Sequence, residues 1–90
     1  MSEETHLTEQ FDAAVRYARD AHGGQTRKGT TIPYISHPLA VSALVLEAGG
    51  SEVQAMTALL HDVAEDCGGQ HRLDDIRQCF GDPVADICEA

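Results

Sequence analysis

Ninety residues carry six Lys and Arg against fifteen Asp and Glu, a net charge of −9, with 42% of positions hydrophobic. That length suits one domain, and the acidic balance repels phosphate backbones and anionic lipid, which excludes general binding to nucleic-acid polymers or membranes. An anionic substrate would need a local basic cluster or a metal ion.

From Leu7 the apolar positions run Leu7, Phe11, Ala14, Val15, Ala18 and Ala21, the spacing of one buried helical face, with Thr8 as cap and Gly23-Gly24 as stop. Residues 23–36 lack periodicity and read as an ordered loop carrying Arg27 and Lys28, two of the six basic residues. Ser36 is the expected cap of a second helix, with Pro38 in its first turn; Val41, Leu44, Val45 and Ala48 are its expected buried face, and Gly49-Gly50 its end. Ser51 and Gln54 form a capping box for a third helix whose apolar side is Val53, Met56, Leu59, Leu60, Val63 and Ala64, closed by Gly68-Gly69. A shorter helix carries Leu73, Ile76 and Phe80. Asp82-Pro83 opens a last one with Val84, Ile87 and Cys88 inward.

With two Phe, two Tyr and no Trp, the core must be aliphatic. No alternating strand pattern or internal repeat appears, so the predicted architecture is all-α, four or five short helices in one domain over residues 1–90. The helical pattern runs to Ala90 without a stop signal, which leads us to expect a domain cut short on its C-terminal side, prone to self-associate through Val84, Ile87 and Cys88 or to unfold readily. Cys67, Cys79 and Cys88 contain no C-x-x-C pair and make neither a disulfide framework nor a zinc knuckle. Cys79 and Cys88 read as small core residues. Met1 to Gln10 are polar and acidic, and no apolar run approaches about 20 residues, so a reducing cytoplasm is the expected setting.

The third helix ends in His61, Asp62, Glu65 and Asp66. At about 100° per residue, with His61 at zero, the other three lie near 100°, 40° and 140°, while the apolar set occupies about 160° to 300°. Four ionisable groups therefore share one face. Carboxylates at a helix C-terminus oppose the macrodipole, so a cation is expected to compensate, a divalent metal above all. Adjacent His and Asp offer a mixed nitrogen and oxygen set suited to Mn, Fe or Zn. His37 becomes a third ligand if the second and third helices, joined only by Gly49-Gly50, lie antiparallel. A lone His-Asp pair is more often a solvated helix face; the Glu-Asp one turn later and the second histidine tip the reading to a metal site. Such an ion would lower the pKa of its water and neutralise phosphoryl oxygens, a carboxylate would take the proton, and Arg27 and Lys28 would attract a polyanion. His6, His22 and His71 are given no catalytic part.

The run GGQTRKGTTIPYISHPLAV, then ALLHDVAED, then LDDIRQCFGDPVADI, resembles the HD-domain metal phosphohydrolases, above all the hydrolase domain of the RelA/SpoT enzymes and the small stand-alone alarmone hydrolases. The likeness runs from about Phe11 to Ile87. It implies an all-helical bundle holding one metal ion, usually manganese, through His37, His61 and Asp62. It implies further that Glu65 and Asp66 activate and orient the attacking water, that Arg27 and Lys28 line the nucleotide pocket, and that the reaction removes the 3′-pyrophosphate of guanosine tetra- or pentaphosphate. The alternative is a nucleotide-sensing HD module without turnover. The family's further metal-binding aspartate and nucleotide-contacting asparagine lie downstream of the F-G-x-x-V motif; Asp82 and Asp86 match neither and are not assigned. The loop K-G-T-T-I-P-Y is one residue longer than the K-S-G-x-P-Y form, a change that bears on nucleotide specificity.

Overall fold

In the computed structural model, which describes residues 5–89, five helices follow one another: α1 (Glu9–His22), α2 (Ser36–Glu47), α3 (Glu52–Asp66), α4 (Gly69–Phe80) and α5 (Asp82–Glu89). The all-α expectation holds. α3 is the centre of the molecule, packed by α1, α2, α4 and α5. Its apolar face buries Met56, Leu59, Leu60 and Val63, which meet Ala14 and Ala18 of α1, Leu73 and Ile76 of α4, and Val84, Ala85 and Cys88 of α5. Full burial of a Leu or Val contributes about 1.5 to 3 kcal/mol, so this one stripe supplies much of the folding free energy.

Local contacts fix how the helices run. Thr8 accepts from the Gln10 amide to start α1, and its hydroxyl donates to the Glu52 carboxylate at the start of α3, 2.9 Å away. At the other end, His22 of α1 lies against Cys67 at the C-cap of α3. α1 and α3 are therefore parallel, with their C-terminal ends together.

α2 returns antiparallel to α3. The reversal is a Schellman turn: the Gly50 amide donates to the Val45 carbonyl (2.8 Å) and the Gly49 amide to Leu46 (3.0 Å), with Gly49 at φ +88°. A Cβ on Gly50 would come within 2.5 Å of the Val45 side chain and 2.8 Å of its carbonyl, so only glycine lets the chain double back this tightly. Ser51 and Gln54 then form the expected capping box.

α2 corrects the sequence reading in two respects. Ser36 is its first residue and not its cap; Ile35 precedes it, and the Ser36 hydroxyl makes no hydrogen bond. Its buried positions are Pro38 and Ser42, whereas Leu44 is 64% exposed, Ala48 is also exposed, and Val41 and Val45 are only half-buried. The Ser42 hydroxyl donates to the Ala55 carbonyl at 3.0 Å, so small residues bring α2 and α3 close. Cys79 is exposed, contrary to the core role its spacing suggests. In α5, Val84 and Cys88 are buried as expected against this same core, so they offer no apolar surface for self-association; Ile87 alone of that trio is exposed.

The segment between α1 and α2 is a small hairpin. Thr26 and Pro33 pair in an isolated antiparallel bridge, the Arg27 amide donates to Ile32 (2.9 Å), and the Tyr34 amide donates to Gln25 (2.8 Å). Among the described residues, no helix is long and apolar enough to cross a membrane.

Candidate metal centre

The antiparallel pairing of α2 and α3 sets the first turn of one beside the last turns of the other. His37, in the first turn of α2, places Nε2 3.7 Å from Asp62 Oδ2. His61 places Nδ1 3.7 Å from Asp62 Oδ1 and 3.8 Å from Glu65 Oε2. Two imidazoles thus approach the two oxygens of one half-buried carboxylate, and Glu65 joins from one turn later.

These separations exceed hydrogen-bond length. They also fall below roughly 4.2 Å, the widest separation of two atoms each about 2.1 Å from one ion. Donor atoms of His61, Asp62 and Glu65 all lie within 4.8 Å of one another. Imidazole nitrogen with carboxylate oxygen is the donor chemistry of Mn, Fe and Zn, so the residues present fit a divalent ion.

Tyr34 closes the group from the hairpin. Its hydroxyl donates to Asp62 Oδ2 at 2.9 Å. The bond to that carboxylate, helped by desolvation and by the charge of Asp66, pushes the phenol up to about 12, while Arg27 pulls the other way. The phenol therefore stays protonated near neutrality and acts as a donor. Both opposing charges place their owners in the same neighbourhood: Asp66 on the exposed end of α3, and Arg27 on the hairpin. Lys28 occupies the exposed hairpin tip beside Gly29.

Two open clefts flank His61. One, of about 350 Å³, follows the α2/α3 seam past His37, Val41, Thr57 and Asp62. The other, of about 410 Å³, lies toward α4 and α5 along Glu65, Gln70 and Leu73. Asp82 and Asp86 are engaged elsewhere, at 2.9 and 2.8 Å from the Arg77 guanidinium.

Three residues escaped the sequence reading. Arg72 donates from Nε to the Cys67 carbonyl at 2.8 Å, giving the acidic C-terminus of α3 a protein cation to set against its dipole. The same guanidinium lies over the Tyr17 ring, and Tyr17 in turn bonds Asp75, which ties α1 to α4. Tyr34, donating to Asp62, is the second. His22 is 5% exposed, with Nδ1 3.2 Å from the Gln25 amide oxygen and 3.7 Å from the Cys67 sulfur, and its ring lies 4.7 Å from that of Tyr34. Burial, foremost, holds the Cys67 thiol above its ordinary pKa, so it stays protonated. A buried histidine in the last turn of α1 could have been suspected from its place in the i, i+4 series Ala14, Ala18, His22.

Comparison with known proteins identifies the family and matches the fold. The HD domain family matches residues 14–90. A GTP pyrophosphokinase of Streptomyces antibioticus is 43% identical over 81 residues, 90% of this chain and 9% of that protein. The bifunctional (p)ppGpp synthase/hydrolase SpoT of Escherichia coli K12 is 46% identical over 72 residues, 80% of this chain and 10% of that protein. A solved structure of a metazoan ortholog of SpoT that hydrolyzes ppGpp superposes with a TM-score of 0.83 at 33% identity, over 94% of this chain and 48% of that one. This chain thus spans about a tenth of the curated relatives and about half of the solved chain.

Proposed function

This chain belongs to the HD-domain family, and on that footing we propose that it is a metal-dependent phosphohydrolase that removes the 3′-pyrophosphate of guanosine tetra- or pentaphosphate in the cytoplasm. The observation that carries the proposal is the approach of His37 and His61 to opposite oxygens of Asp62. His37, His61 and Asp62 hold the ion; the donor set suits Mn, Fe or Zn, and Mn²⁺ is the one the family resemblance implies. When bound, a divalent ion lowers the pKa of water and neutralises charge developing on phosphoryl oxygens.

The chain's own residues do the rest. Glu65 and Asp66, both exposed at the end of α3, orient the attacking water and accept its proton, a contribution of about 10² to 10⁴ in rate for a well-placed base. Arg27 and Lys28, on the hairpin that also carries Tyr34, supply the positive charge that a −9 chain needs to draw in a polyanion. The relatives' names support the guanosine polyphosphate substrate: several are guanosine-3′,5′-bis(diphosphate) 3′-pyrophosphohydrolases.

The test is manganese-dependent pyrophosphate release from guanosine tetraphosphate by the full natural polypeptide, with His61→Ala as control. Release that disappears in the variant supports the proposal. Tight nucleotide binding with Mn²⁺ present and no release would replace hydrolysis by sensing.

A further inference from the structure

Nothing in the proposed reaction uses the cluster formed by His22, Gln25, Tyr34 and Cys67 behind the metal centre. We infer that Tyr34 is a positioning residue that fixes the plane of the Asp62 carboxylate, held for that task by a pocket of His22 and Gln25. The inference rests on the reading of Asp62 as a metal ligand.

A carboxylate turns easily about its last bond, because that torsion is broad and roughly two-fold. Asp62 sits near the end of a helix with only partial cover, so local packing alone leaves its plane loose. The Tyr34 hydroxyl removes that freedom by donating to Oδ2 at 2.9 Å. Oδ2 then faces His37, and Oδ1 is turned toward His61. Donors behind a metal-ligating side chain set its orientation, and losing one costs about 10- to 100-fold in metal affinity or activity.

Tyr34 is itself held on three sides. Its amide donates to the Gln25 carbonyl (2.8 Å), which closes the hairpin, and its carbonyl accepts from the His37 amide (3.0 Å), which joins it to the start of α2. Its ring packs against the imidazoles of His22 and His37, with centroids 4.7 and 5.9 Å away. His22 cannot swing aside, since it is 5% exposed and bridges Gln25 and Cys67 through Nδ1. One hydroxyl thereby couples the hairpin, α1 and α2 to a carboxylate on α3.

Tyr34→Phe isolates the hydroxyl and keeps the ring. Calorimetric titration of Mn²⁺ into the nucleotide-free protein should show about 10- to 100-fold weaker binding in the variant, with an unchanged thermal melt before metal is added. Turnover lost at limiting Mn²⁺ should return at saturating Mn²⁺, with KM for the nucleotide unaltered. Equal Mn²⁺ affinity in the two proteins, or a defect seen only as a raised KM, would overturn the positioning role and make Tyr34 a substrate contact. Failure of the wild type to bind Mn²⁺ at all would instead overturn the metal reading of Asp62, and this inference with it.

Discussion

The two ends of α3 are built on opposite terms. At the N-terminal end, Ser51 and Gln54 satisfy each other's backbone amides, Glu52 suits the positive pole and binds Thr8, and Ser42 closes on the Ala55 carbonyl. At the C-terminal end there is no basic residue in the last turn; Asp62, Glu65 and Asp66 stand at the negative pole, and the imidazoles approach carboxylates at 3.7 to 3.8 Å without hydrogen-bonding them. One end is arranged for stability. The other spends stability on a concentration of donor atoms, with Arg72 and the Tyr34 hydroxyl as its partial compensation. A helix can thus carry a demanding site when its first turns and its buried stripe supply the rigidity that the site does not.

The contrast can be broken at either end. The largest effect is expected for His61→Ala, which should lose measurable divalent-metal binding and hydrolysis while keeping the helical circular dichroism of the wild type. Next, Leu59→Ala removes a side chain with 0% exposure and should destabilise the fold by about 2 to 5 kcal/mol in chemical denaturation. Ser51→Ala should cost about 1 kcal/mol by deleting the capping box, a fall of about 4 to 8 °C in melting temperature. The smallest effect is expected at the negative pole of α3. Glu65→Gln takes a charge from the wrong pole of α3 and should raise the stability of the metal-free protein by about 0.3 to 1 kcal/mol while slowing hydrolysis about 10²-fold or more. A Glu65→Gln protein that melts lower than the wild type would show that the carboxylate is not a cost there.

The sequence exposed most of this frame, for physical reasons that differ by element. α1 and α3 carry a polar face and an apolar face, so their spacing both locates the helix and aims it; the capping box of α3 and the Schellman glycines after α2 are local chemistry and were legible as such. α2 is apolar on nearly every side, so periodicity gave it no direction, and the face that meets α3 proved to be the one with small residues, Pro38 and Ser42, in place of Leu44. The grouping of His37 with His61 and Asp62 was readable because the two-glycine turn brings the helices antiparallel. Tyr34 and His22 were not, since their part depends on a hairpin of ten or so residues whose pairing rests on backbone bonds that no side-chain pattern announces. Arg72 likewise reaches Cys67 across a turn, where helix spacing says nothing.

Asp62, the carboxylate between two imidazoles, is the centre of the proposed metal site. Calorimetric titration of Mn²⁺ into the wild type and into Asp62→Asn, with the melting curve of each recorded without metal, measures this directly. One ion per chain in the wild type, and none in a variant that melts normally, is the predicted result. Binding of equal strength and stoichiometry in both proteins would contradict it.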